Sequence, residues 1–275
     1  MLTMVQLFSQ AVQGGTDYVQ PTRNFSLTYI ILDSLFIVVF LCLLWIKKKK
    51  VCFLWALFGG VLYWIVDWGL FYFASHSREI YFYCYDNAKT LCNWWQTGFV
   101  LFWMSMSYGI LDFAFIWLWL EKDKHALEWS ALIVIWWICC PLMTNFMNNL
   151  IPNTLYFQTT RGTGKYHGIM GLIMVIGYAI VLLRNIFEKD KERIPILRLF
   201  IIGFMAQFLW EFLLFVFGIR SQNYESDPVR IITTMLSDSL VETNLGLPYI
   251  YFIQKAVSKK WNEDLTRVEL VNSND

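Results

Sequence analysis

The sequence predicts an all-α polytopic membrane protein with seven transmembrane helices, and three observations predict it. Of its 275 residues, 57% are hydrophobic and only 16% are charged, too little charge to clothe a soluble domain of this length. The apolar residues gather in runs of roughly 20, the length that crosses a hydrocarbon core of about 30 Å. The Lys and Arg residues fall between those runs, unevenly on alternate sides, as the positive-inside rule requires of membrane loops.

Taken in order, the expected spans are Leu27–Ile46, Val51–Phe73, Gly98–Leu120, Trp129–Phe146, Gly168–Leu183, Leu199–Phe217 and Met235–Ile253. The fourth contains Pro141 and the seventh Pro248, which membrane helices tolerate where neighbours re-satisfy the freed backbone groups. Residues 1–26 form an extracytoplasmic segment, 27–253 the membrane domain, and 254–275 a polar cytoplasmic tail. One side collects the tetrad Lys47–Lys50, Lys122, Lys124, the bases between Arg184 and Arg198, and those of the tail, 15 of the 22 Lys and Arg residues. That side is read as cytoplasmic, which puts the N-terminus outside and the protein in the plasma membrane. The first span is expected to serve as its own insertion signal, because the residues before it lack a basic start and a long apolar core. A net charge of +1 argues against a nucleic-acid partner. Cys84 and Cys92 fall on the outer side, where a disulfide is allowed; no cysteine spacing resembles a metal site, and no cofactor motif is present.

An internal repeat organises the spans. Aligning Asp67 on Glu211 pairs Leu70 with Leu214, Phe71 with Phe215 and Phe73 with Phe217. Asp112 on span three and Glu242 on span seven occupy corresponding places ahead of Lys124 and Lys255. The expected plan is two parallel three-helix repeats, about 27–120 and 168–253, joined by a linker helix at about 129–146 (3+1+3).

The spans hold Asp33, Asp67, Asp112, Glu211, Asp238 and Glu242, while their interiors hold no Lys, Arg or His. An acid at membrane depth costs a few kcal/mol on insertion scales, so each needs water, a partner or a proton. Asp33 and Asp238, near helix ends, are the two most readily explained by contact with water. Asp67, Glu211, Asp112 and Glu242 are the catalytic candidates, since acids crowded without a countercharge keep protons and can act as Brønsted acids. Helical spacing sets Tyr63 beside Asp67, Gln207 beside Glu211, Tyr108 beside Asp112 and Asp238 beside Glu242. With Trp64, Trp68, Trp210 and Phe212 these residues would line a pocket for an apolar substrate. The plainer role for every such acid is a hydrogen bond that ties two helices together.

The seven-span plan, the acid on span two, Trp210-Glu211-Phe212 and a further acid on span seven resemble the integral-membrane terpene cyclases of meroterpenoid pathways. That resemblance implies two intramembrane carboxylates on separate helices acting as acid catalysts on an isoprenoid-type substrate. On span two Trp64 precedes Asp67 by three residues rather than one, which leaves open which carboxylate is the donor. A 3+1+3 carrier of small solutes or cations is the alternative, weakened because no broken helices show at matching places. A retinal protein is disfavoured, since span seven has no Lys before Lys255, and a non-catalytic membrane protein is a further alternative. With no basic partners, Asp67→Asn and Glu211→Gln are expected to abolish activity and leave stability near wild type.

Overall fold

The computed structural model describes residues 22–83, 89–150, 155–161, 167–188, 193, 195–221 and 228–272. Strand β1 (Thr22–Ser26) runs straight into α1 (Leu27–Ile46), whose first turn is closed by the Ser26 hydroxyl accepting from the Tyr29 amide at 3.2 Å. Helix α2 (Lys50–Trp64) continues as a π-helix, Ile65–Ala74. Strands β2 (Arg78–Tyr83) and β3 (Lys89–Leu91) lead to α3 (Trp94–Leu120), which opens on a capping box between Asn93 and Gln96. Then come α4 (Ala126–Leu150), β4 (Tyr156–Arg161), α5 (His167–Phe187), α6 (Ile196–Val216), β5 (Arg220–Ser221), α7 (Pro228–Val241) and α8 (Leu247–Asn272).

Six helices are long and apolar enough to cross a membrane, the build of a multi-pass membrane protein: α1, α2 with its π-helical extension, α3, α4, α5 and α6. The seventh expected span is not continuous. Helix α7 stops at Val241, Glu242–Gly246 form a turn, and α8 begins at Leu247. Pro248 therefore sits in the first turn of a new helix, where its missing N–H costs nothing, rather than inside a span. The C-terminal residues read as a polar tail continue α8 as far as Asn272.

Helix α3 is the axis of the bundle, with 78% of its apolar window buried against 17–44% for the other five. It meets α2 along a glycine seam. A Cβ on Gly109 would lie 2.8 Å from the Gly60 Cα, and one on Gly60 would lie 2.8 Å from the Met106 sulfur. With no hydrophobic drive between helices in lipid, such small-residue contacts supply the dispersion that holds them.

The all-α expectation misses one layer. The connections at one end of the bundle fold into a five-stranded antiparallel sheet, in the order β3-β2-β4-β1-β5. Its strands come from the segment before α1 and from the links α2–α3, α4–α5 and α6–α7. The bases of the opposite side, from Lys47–Lys50 to Lys255, occupy the far ends of the same helices. Asn24, in a sequence that matches a glycosylation sequon, lies inside this sheet and accepts from the Gln158 amide at 3.0 Å. Cys92 is a free, buried thiol, which burial pushes up to about 11; Cys84 lies outside the described residues.

Candidate functional site

Strand register decides what the sheet presents to the helices. Residues opposite one another in an antiparallel pair point to the same face, as do residues two apart on one strand. Arg23 lies opposite Arg220 and Thr159, Ile80 lies opposite Thr159, and Arg78 lies opposite Arg161. Arg23, Arg78, Arg161 and Arg220 therefore share one face, together with Thr159 and Ile80. That face is the buried one: Arg23, Arg78, Arg220, Thr159 and Ile80 are all buried, while Glu79 and the other alternates of β2 turn outward.

Each of those arginines meets a carboxylate that the sequence reading left without a base. Arg78 Nη2 donates to Asp67 Oδ1 at 2.6 Å, and its Nη1 donates to Thr159 Oγ1 at 3.0 Å. Asp67 Oδ2 accepts from the Tyr108 hydroxyl at 2.5 Å and from Ser105 at 3.1 Å. Glu211 accepts from both Arg23 and Arg220, and Arg220 Nη2 continues to Asp238 Oδ2 at 2.8 Å. Arg161 pairs with Glu242, whose other oxygen accepts from Gln207 Nε2 at 3.3 Å; Gln207 also donates to Glu211 at 3.2 Å. Thr243 in the turn donates to Gln207 Oε1 at 3.3 Å.

The result is a layer of four guanidiniums and four carboxylates, balanced in charge and sandwiched between sheet and helices: the Asp67–Arg78 pair, and beside it six groups joined through Glu211, Arg220 and Gln207. Burial holds the Arg23 and Arg78 guanidiniums below their ordinary value. Burial also opposes the charge of Arg161, but Glu242, Asp67 and Asp238 outweigh it and raise that group above its ordinary value. All remain cations at any physiological pH. The absence of basic partners, on which the sequence reading rested, is thus overturned, and so is contact with water for Asp33 and Asp238, which are 0% and 2% exposed. Arg23, Arg78, Arg161 and Arg220 lie outside the apolar runs, so a search for bases inside the spans passes them over. Their signal was present: each sits in or beside a short run of Thr, Tyr, Phe or Ile, strand formers, and each is Arg, whose planar fork suits buried carboxylates.

Asp112 stands apart. It is fully buried, and both its carboxyl oxygens lack a hydrogen-bond partner among the described residues. It sits on α3 one turn from Tyr108, whose ring packs edge-on to Tyr63 with centroids 4.8 Å apart. Tyr63 lies within electrostatic reach of Asp112, Glu242 and Asp67. Asp33 is separate, accepting from Trp136 Nε1 at 3.2 Å between α1 and α4.

The structure therefore gathers Asp67, Tyr108, Asp238, Gln207, Glu211 and Glu242 in the charged layer, with Tyr63 and Asp112 beside it. It does not bring the expected aromatic wall with them. Trp64 and Trp68 stack on each other and lean on the start of α3, where Trp64 Nε1 donates to the Gly98 carbonyl at 3.1 Å. Trp210 is buried against Trp137, and Phe212 is 41% exposed, stacked on Phe208 at the bundle surface. Among the described residues no three His, Cys, Asp or Glu side chains are grouped so as to hold a metal ion. No protein-family model matches the chain, and neither a curated protein nor a solved structure does.

Proposed function

We propose that the protein is a membrane-embedded acid–base enzyme that isomerises or cyclises an apolar, isoprenoid-type substrate, in the manner of the terpene cyclases its sequence resembles. The observation that supports this most is the contrast between Asp112, a buried carboxyl with no hydrogen-bond partner among the described residues, and Asp67, a carboxylate held by Arg78, Tyr108 and Ser105. One acid without a countercharge beside one with a countercharge is the division of labour that acid–base enzymes use. Asp112 protonates an alkene or epoxide of the substrate, and Tyr63, Tyr108 and Phe113 stabilise the resulting cation through their ring faces. Asp67 or Glu242 accepts the terminating proton, so the substrate is rearranged with no net gain or loss of atoms or electrons. The sequence leaves the donor open among Asp67, Glu211, Asp112 and Glu242; this reading assigns the role to Asp112.

The test is purified protein in detergent with a prenylated or epoxidised lipid, its products followed by mass spectrometry. Wild type converts the substrate to an isomer of equal mass, and Asp112→Asn does not while unfolding at the same temperature. Full turnover by Asp112→Asn overturns the assignment.

One observation favours a second reading, a carrier. The turn Glu242–Gly246 interrupts the seventh segment beside the charged layer, and broken helices at polar sites are the mark of secondary transporters. Solute movement in proteoliposomes without chemical change identifies that case.

A further inference from the structure

Asp33 and Asp112 stand outside the charged layer, and their surroundings differ. Asp112 has burial alone acting on it. Asp33, 0% exposed, has three side chains aimed at its carboxyl from two other helices: Trp136 on α4, and Trp103 and Ser107 one turn apart on α3. Trp136 Nε1 reaches Oδ1 at 3.2 Å, and its indole is held by Phe36, stacked on it with centroids 4.4 Å apart. The other contacts are near but unmade. Asp33 Oδ2, Ser107 Oγ and Trp103 Nε1 have no hydrogen-bond partner among the described residues, and Ser107 is only 3% exposed. The buried Thr144 hydroxyl, likewise without a partner, borders the same place through Cys140, which lies within reach of both Thr144 and Tyr29, one turn before Asp33.

Unmet donors and acceptors gathered in one buried place call for a bound partner. The groups aimed at Asp33 favour its ionised form, since hydrogen bonds donated to a carboxylate stabilise the charge. That charge still needs an answer at membrane depth. No Lys or Arg among the described residues acts on it, and the four guanidiniums of the layer serve other acids. A proton on Oδ2 would neutralise the acid only by giving up the charge that the two indoles are placed to bind. A cation keeps it. Such an ion meets oxygen from three helices, Asp33 Oδ2, Ser107 Oγ and, further off, Thr144 Oγ1, the ligand type that hard ions take. One carboxylate balances one charge, which selects a monovalent ion over Ca2+ or Mg2+. Trp136, bonded to Oδ1, then orients the ligating carboxylate from behind, as outer partners do at metal sites.

We propose that α1, α3 and α4 enclose a site for a small monovalent cation such as Na+, held by Asp33 Oδ2 and Ser107 Oγ, with Thr144 and water completing its shell. The experiment takes the purified full-length protein in detergent at constant ionic strength, replaces choline chloride by NaCl, and reads the unfolding temperature and the binding of radioactive Na+. Wild type is stabilised saturably by Na+ and not by choline, which is too large for the site. Ser107→Ala weakens Na+ binding about tenfold or more, the range seen when a partner at a metal site is removed. Asp33→Asn binds no Na+, yet in choline it unfolds no lower than wild type, because a neutral side chain needs no countercharge. A merely structural carboxylate gives the reverse, a destabilised variant and a wild type indifferent to Na+. Asp112→Asn binds Na+ as wild type does, so the site stands apart from the reaction assigned to Asp112. Should Asp33→Asn fail to fold, the wild-type and Ser107→Ala titrations still decide. The proposal is overturned if wild type shows no saturable Na+ response, if Asp33→Asn or Ser107→Ala keeps that response unchanged, or if Asp112→Asn loses it. Stability that follows pH and ignores Na+ assigns Asp33 a proton and overturns it too.

Discussion

Replacing Asp67 by Asn removes one negative charge from the layer and leaves Arg78 without its carboxylate. The side chains of the pair are 1% and 2% exposed, so solvent cannot take over. Breaking a buried pair by neutralising one partner costs about 3–5 kcal/mol. Asn retains the shape of the site and part of its bonding to Ser105 and Tyr108, so the loss is one of charge. It is aggravated by register, because Arg78 stands directly opposite Arg161, and like charges facing across a strand pair repel. The expected outcome is that Asp67→Asn and Arg78→Gln each destabilise by about 3 kcal/mol or more, while the double substitution lies closer to wild type than either single one. The coupling should therefore be about 3 kcal/mol or more, the top of the usual range for residues in contact. Equilibrium unfolding of the four proteins in mixed micelles measures it. Additive losses, or single substitutions within about 1 kcal/mol of wild type, would show that the pair is solvated and the layer open. The sequence alone predicts the opposite, neutrality in stability for Asp67→Asn, so the measurement separates the two pictures.

Two other perturbations probe the helices below. Gly109→Val sets a side chain where a Cβ already meets the Gly60 Cα at 2.8 Å, which should force α2 from α3 and cost about 1–3 kcal/mol, seen as a lower unfolding temperature. At the basic end, Lys49 pairs with Asp123 between the α1–α2 and α3–α4 links. Burial pushes the Asp123 carboxyl up, but the Lys49 ammonium and the His125 backbone amide prevail and hold it below the usual carboxylate value. Its stabilisation is therefore complete above the unfolded value of about 3.9 and lost as pH falls through the lower folded value. Asp123→Asn should destabilise by up to about 1 kcal/mol near neutral pH, and the difference from wild type should vanish in strong acid, as unfolding scans across pH will register.

Where residues act through neighbours in the chain, the sequence is informative. Leu27–Ile46 is read without error, and Val51–Phe73 falls within one residue of the helical stretch Lys50–Ala74, because a long apolar run between lysines and small or polar residues has one way to sit in a bilayer. The crowding of acids in the spans is legible as well, through their number and, for Asp238 and Glu242, their i, i+4 spacing. The arginines are not. Arg23 meets Glu211 across 188 positions of the chain, and only the register of β1 against β4 and β5 aims it there. The break at Glu242–Gly246 is hidden for a similar reason: Leu-Gly-Leu-Pro inside an apolar stretch reads as a tolerated kink, whereas Asn244 is fixed from outside by the Tyr178 hydroxyl at 2.7 Å and by close contact with Gly203. The aromatic residues beside the acids turn to other faces: Trp210 and Phe212 each lie one residue, about 100° of helix, from Glu211, and beyond Trp64 the helical phase changes where α2 becomes a π-helix at Ile65.

The order of the sheet also dictates an order of assembly. Strand β1 leaves the ribosome first, yet its partners β4 and β5 follow four and six membrane helices later. The Asp67–Arg78 and Glu211–Arg220 pairs are local, 11 and 9 residues apart, but the others close over long stretches of chain. Arg220 follows Glu211 closely, but Glu211's other partner, Arg23, lies 188 positions earlier, ahead of the first membrane helix. Such long closures make for slow, late folding, and the half-built protein carries an open sheet edge and unmatched charges throughout. A chain halted before β5 should therefore be handled by the cell as unfolded, however completely its first helices have inserted.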